Sequence, residues 1–395
     1  MRSNNKFYGN SSVYLVQILI LLILNTMVRT QYDVLVSIGT ISTNLTFILM
    51  LIFLVKGIID KRQFDLNLNR IYLALFLYMI VYSISYITTL QVDAFYYIQL
   101  ILLFIFILES TRMNMGIMNI KLVGYIMGIT VVFLFIHWIA SGLSFDGFKS
   151  IFRNPNYLAV LLFCVLYFKI IAFKYSSSME KVYIAFLIFI NLILIFATNA
   201  RSVLVAIGVI VVSRVVLQYY SKFFPYVFHM VIILNLLFLF IYTKIQNSHV
   251  GVYLNDLSLH FFGKPLYHDS GRSVIWEQLF QKISENPLFG YGLGTNAKDL
   301  IVTNYTAHNQ FLQIIIEVGM VGFVIFIFLL YSIWKLLIKR LDSSVAVWSA
   351  CFFLGILVYE NFEMTLFQNN YSIAILQWMI ITIGINFKNF ERKID

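Results

Sequence analysis

Among the six histidines of the chain, His308 stands in the company that chemistry needs. It lies in NYTAHNQFLQIIIEVGMVG, where a polar stretch runs into an apolar one, beside the amides Asn309 and Gln310. A neutral imidazole, with an ordinary pKa of about 6.5, is suited to take a proton from an attacking hydroxyl. Gln310, Gln313 and Glu317 follow at spacings of three and four, so a helix starting near Ala307 carries them on one face. A carboxyl charged at mid-bilayer costs roughly 2.5 to 3.5 kcal/mol, so Glu317 must face the bundle interior or a wet cavity, either as function or as polar glue. No His-x-x-His or Glu-x-x-His pairing accompanies His308, and no metal is expected. A Gly-x-Ser-x-Gly elbow is absent too, and no Ser or Cys stands out as a nucleophile.

The elements that must hold these residues are membrane helices. With 61% hydrophobic and 12% charged residues and a mean hydropathy of +0.86, the chain is far from a soluble domain. Apolar runs of about 20 residues recur along it, each long enough to cross a hydrocarbon core of about 30 Å. The expected fold is all-α: one transmembrane domain over 1–395, a polytopic helical bundle of about 12 spans, with 244–306 as a long extracytoplasmic loop. The spans are expected near 34–55, 71–90, 94–108, 121–140, 157–173, 182–198, 202–217, 226–243, 308–334, 344–359 and 371–387, after a first one at the N-terminus. Placing both termini in the cytoplasm puts most of the 28 Lys and Arg residues on the inner side. The net charge of +10 is scattered between spans, which argues against a nucleic-acid partner. Cys164 and Cys351 sit in apolar runs as small hydrophobes.

Within the long loop, Ile275, Trp276, Leu279, Phe280 and Ile283 recur at helical spacing, which predicts a short amphipathic helix ending before Pro287. The FGYGLG turn follows, carrying Tyr291; no strand precedes it and no Walker lysine follows, so it is no nucleotide loop. Some arginines fall on the outward side against the usual bias. Arg272 and Arg201, the latter in TNARS, suit a phosphate, which guanidinium grips with two hydrogen bonds; snorkelling at a helix end is the other reading of Arg201. Arg153 lies in FRNPNYLA, where Asn154-Pro155 marks a turn and Asn156 can cap the next helix. The last external loop, ENFEMTLFQNN, offers Glu360, Glu363, Gln368, Asn369 and Asn370, suited to sugar hydroxyls or simply solvated.

The runs RSVIWEQLFQKISENPLFGYGLGT and AHNQFLQIIIEVGMVGFVIF, with FRNPNYLA and TNARS in order upstream, resemble the O-antigen ligase and polymerase superfamily, including Wzy-type polysaccharide polymerases. The resemblance implies a metal-independent, inverting glycosyltransferase of the bacterial cytoplasmic membrane, working on its outer face without a cofactor. Its donor and acceptor would be undecaprenyl-diphosphate-linked glycans, with a flippase and a chain-length regulator as further partners. Arg201 and Arg272 are implied as diphosphate binders, and His308 as the base or the residue orienting the acceptor. Arg153, Asn309, Gln310, Glu317, Tyr291 and Glu360 are further substrate-binding candidates. The expected function is polymerisation of the repeat units of a capsular, exopolysaccharide or O-antigen type glycan. The alternatives are ligase-like transfer to another acceptor and, in a different class, a flippase of lipid-linked oligosaccharide. A flippase predicts paired inverted repeats and interrupted helices in matching halves, neither of which the sequence displays.

Overall fold

A computed structural model describes residues 20–59, 65–89, 94–112, 116–245, 248–262, 272–367 and 371–386. Gln368, Asn369 and Asn370 lie outside the described residues. In chain order the helices are α1 (Ile20–Arg29), α2 (Asp33–Ile59), α3 (Asn69–Thr89), α4 (Ala94–Ser110), α5 (Ile117–Ala140), α6 (Pro155–Lys174), α7 (Ser178–Ala197), α8 (Arg201–Tyr219) and α9 (Phe224–Ile245). There follow α10 (His249–Phe262), α11 (Arg272–Glu285), α12 (Ala297–Leu300), α13 (Gln310–Ile338), α14 (Ser344–Tyr359) and α15 (Tyr371–Asn386). No strand occurs among the described residues; Thr30 and Phe152 form an isolated antiparallel bridge.

Eight of these helices, namely α2, α3, α5 to α9 and α13, are long and apolar enough to span a membrane, and α1, α4, α14 and α15 are shorter apolar helices. Their positions follow the expected runs. The side chains sort as a lipid solvent requires. Along α2, Ile38, Ile41, Leu45, Ile48 and Ile52 face outward, as do Ile233, Leu234, Leu237 and Phe240 along α9. Most residues of α6 and α14 and nearly all of the described α15 side chains are buried instead, so these three form the centre of the bundle. With lipid as apolar as leucine, close approach and buried hydrogen bonds must join the helices. A Cβ on Gly355 of α14 would meet the Ala206 carbonyl oxygen of α8 at 3.0 Å. Asn235 of α9 donates to the Leu357 carbonyl at 3.0 Å, and Asn191 of α7 to the Leu162 carbonyl at 2.9 Å.

The expected amphipathic helix is α11, with Ile275, Trp276 and Leu279 buried. A second helix in the same segment, α10, was not expected. Val250, Val252, Tyr253 and Phe261 leave it largely exposed, so its periodicity marks no single buried face.

The sequence also suggests one unbroken span over 308–334, whereas α13 breaks at Gly319, with φ 63° and ψ −167°. In a continuous helix the amides of Met320 and Val321 would donate to the carbonyls of Ile316 and Glu317. The break frees all four groups, which inside a membrane must find partners. The glycine turn supplies them. Tyr291 N donates to Ile316 O at 2.7 Å and Gly292 N to Glu317 O at 3.0 Å, while Met320 N donates to Pro287 O at 2.9 Å and Val321 N to Leu288 O at 3.2 Å. The turn is thus spliced into the helix. Such an approach tolerates no side chain: a Cβ at Gly319 would lie 2.2 Å from the Leu288 carbonyl oxygen, and one at Gly290 2.5 Å from that of Ile316. Glu317 is buried at the splice, accepting from Gln313 Nε2 at 2.9 Å and from Tyr82 Oη of α3 at 3.1 Å.

The Gly319 backbone lies in a region essentially reserved for glycine, so Gly319→Ala adds about 1–3 kcal/mol of strain to the clash. Thermal unfolding of the detergent-purified variant should begin several degrees lower than for the parent; an unchanged transition would mean that the splice does not hold the bundle.

Candidate functional site

At the end of the bundle where α13 begins, three chain segments are laced together by buried hydrogen bonds. Asn309 caps α13, its side chain accepting from Leu312 N at 2.9 Å, and its Nδ2 donates to Asn361 O at 3.1 Å. Gln310 N donates to Glu360 O at 2.8 Å, and Gln310 Oε1 accepts from Leu366 N at 3.2 Å. These bonds fix the turn after α14 against the head of α13. Trp276, fully buried, donates its indole N–H to Ala307 O at 2.7 Å and so fixes α11 to the same place. His308 is caught between, with φ 47°, a left-handed conformation that is uncommon outside glycine and is held here by its neighbours.

Glu363 is the hub of what these segments bring together. Its Oε2 lies 3.3 Å from His308 Nδ1, and its Oε1 accepts from Asn156 Nδ2 at 3.2 Å. Arg272 Nη2 stands 3.9 Å from the same Oε1 and donates to Phe362 O at 3.1 Å. Arg153 is close by, its Nε donating to Thr30 O at 2.9 Å. Arg29 lies over the Tyr157 ring at 5.1 Å and within electrostatic reach of Arg153 and Glu363. Several donors here are buried yet unmet among the described residues: Arg272 Nε, Arg29 Nε and Ser273 Oγ, the last beside the head of α11. Buried polar groups normally find partners, so donors left over beside a helix N-terminus suit an anion. A carboxylate on Nδ1 favours the tautomer that keeps its proton there, leaving Nε2 as the acceptor for a substrate proton.

The residues singled out from the sequence divide between this cluster and its supports. His308 and Arg272 meet through Glu363, and Arg153 lies nearby. Arg201 heads α8 and donates from Nη1 to Ser258 Oγ of α10 at 3.1 Å, sharing no hydrogen bond with the Glu363 group among the described residues. Tyr291 is not at the mouth. Its hydroxyl, with one proton to give, lies 2.7 Å from Lys282 O and 3.1 Å from Glu285 Oε2, closing the turn against α11. Asn309, Gln310 and Glu360 are 0% exposed and Glu317 1%, and each has hydrogen-bond partners within the protein. Asn154, not Asn156, caps α6, accepting from Asn156 N at 2.8 Å and freeing the Asn156 side chain for Glu363. Glu363 and Arg29 were visible in the sequence but not chosen. Glu363 lies 55 residues from His308 in a loop that reads as solvated, and no spacing rule links the two.

Glu360 shows how firmly the loop is held. Its carboxylate accepts from Thr365 N at 2.9 Å, from the Thr365 hydroxyl and from Gln377 Nε2 at 3.3 Å. Burial pushes its pKa from 4.5 to about 8, against the lowering effect of these bonds. A raised carboxyl pKa means that the folded state binds the proton more tightly. The resulting stabilisation is fully present below pH 4.5 and is lost as pH rises through about 8. Thermal unfolding followed from pH 5 to 9 should therefore show a declining midpoint, and Glu360→Gln should flatten the decline; an equally steep slope in the variant would assign it to another group.

The arrangement also has relatives. Residues 184–327 match the family model described as O-antigen ligase. That stretch holds Arg201, Arg272, Tyr291, His308 and Glu317, but stops short of Glu363 and begins after Arg29 and Arg153. A Rickettsia conorii protein provisionally named a polysaccharide ligase is 27% identical over 138 residues, which is 30% of this chain and 33% of that protein. The similarity therefore spans about a third of the relative's length. Over residues 184–327, a stretch that includes His308 and Arg272, the chain is similar to the O-antigen ligase family.

Proposed function

We propose that the protein is a glycosyltransferase that joins undecaprenyl-diphosphate-linked repeat units into a surface polysaccharide on the outer face of the bacterial cytoplasmic membrane. The observation that carries this reading is His308 Nδ1 held 3.3 Å from Glu363, with Arg272 on the same carboxylate. A sugar hydroxyl of the acceptor attacks the anomeric carbon of the donor from the face opposite the diphosphate. The new C–O bond forms as the bond to the diphosphate breaks, and the hydroxyl proton passes to His308 Nε2. The diphosphate leaves with the electron pair, and arginine is the side chain best fitted to stabilise it. Arg272 holds its carboxylate partner loosely at 3.9 Å, so an incoming phosphate can compete for it. The hydrogen bond from Arg201 to the neutral Ser258 hydroxyl is likewise exchangeable. The outward placement follows from the Lys and Arg distribution, which puts the His308 end of α13 outside.

A second reading, transfer of a finished glycan to another acceptor, is favoured by the name of the Rickettsia relative and by the description of the matched family. Both readings share donor chemistry. Purified protein given lipid-diphosphate repeat units and no energy source should produce a ladder of longer glycans. His308→Ala and Arg272→Ala should each lower the rate by about 10²–10⁴-fold without changing membrane insertion or the unfolding midpoint. Consumption of donor only when a different acceptor is added would select the ligase. Movement of substrate between leaflets with no new glycosidic bond would overturn the enzyme reading.

A further inference from the structure

At the far end of α13 from His308, the 3-10 turn Leu66–Leu68 and the head of α3 face the last turns of α13 across a cavity of about 310 Å³. Arg70, Lys335 and Lys339 converge on it, together with Asn67, Asn69 and Leu336. No Asp or Glu is among its described lining residues, and none of the three cations forms a salt bridge with a carboxylate among the described residues. The acid next in sequence, Asp65, is occupied in its own turn, accepting from Asn67 N and Nδ2 at 2.9 Å each. The first amides of α3, a helix of 21 residues, add the positive end of their dipole to the same place. Lys335 lies within α13, its ammonium 5.4 Å from the Tyr331 ring, and is only partly exposed. Exposed Leu66 gives the rim an apolar edge.

Three cations with no salt-bridge partner among the described residues, two amides and a helix head around one cavity call for a compact anion with several acceptor oxygens. We propose that this cavity binds a phosphate group, carried either by an anionic phospholipid headgroup or by a free phosphate. The 29 residues of α13 separate it from His308 by roughly 40 Å, so it serves the opposite membrane surface. The proposal is independent of the glycosyl-transfer reading and needs no reaction at either end.

The test uses the full-length protein in phosphatidylcholine nanodiscs, titrated with short-chain phosphatidylglycerol or with inorganic phosphate, bound ligand being read by native mass spectrometry. Each basic residue near a membrane surface contributes a factor of about five to anion affinity. Replacing Arg70, Lys335 and Lys339 together with Gln should therefore weaken binding by about a hundredfold. Arg340→Gln, a neighbouring charge outside the cavity, should leave it unchanged. Lys339→Gln alone, at an exposed position, should give an intermediate loss and guards against misfolding of the triple variant. Saturable phosphatidylglycerol binding that inorganic phosphate does not displace identifies the lipid, and displacement by phosphate identifies the free anion. No saturable binding of either probe, or binding that Arg340→Gln weakens as much as the cavity variants, would overturn the proposal.

Discussion

A backbone amide or carbonyl with no partner is costly inside a membrane, and the chain breaks α13 at Gly319 nonetheless. The break is tolerable because Pro287, Leu288, Tyr291 and Gly292 take over the four orphaned groups. The rest of the site hangs on that exchange. It anchors the turn that follows α11, and α11 in turn carries Arg272 and, through Trp276, steadies the residue before His308. Polar side chains that look available for chemistry are spent nearby on the same repair: Glu317, Gln313 and Tyr82 form one buried network around the splice.

The cluster at the head of α13 reverses the usual relation of a buried acid to its surroundings. One carboxylate, Glu363, serves an imidazole, an amide and a guanidinium, with Arg29 and Arg153 close by. Among the described residues positive charge is in excess around it, and several donors are unmet. Glu363 brings the His308 imidazole and the Arg272 guanidinium to one carboxylate. In the proposed reaction, a diphosphate entering the cluster would meet groups already in position, with little reorganisation on binding.

Much of this was readable in the sequence, for reasons tied to particular residues. The apolar runs gave the bundle because membrane spans need length and composition alone. His308 and Arg272 were legible because each stands at a junction between polar and apolar sequence. The break at Gly319 was not, since EVGMVG reads as an ordinary glycine inside a membrane helix, and only the approach of Leu288 shows why that glycine is needed. Glu363 was hidden for a different reason: its partners come from α6, α11 and the segment before α13, and long-range pairing leaves no periodic trace. The internal partners of Tyr291 and Glu360 were hidden for the same reason, since a polar residue in a loop looks solvated until its partners are known.

The splice also bears on how this chain can change length. Residues 286–294 are pinned to α13 by paired backbone bonds, so one residue added there would shift the register of both partners and uncouple the helix halves. Among the described residues α10 makes no such paired backbone bonds to another element, and most of its side chains are exposed. Insertions and deletions should accumulate on the α10 side and be refused between Asn286 and Gly294, giving neighbouring parts of one loop opposite tolerances.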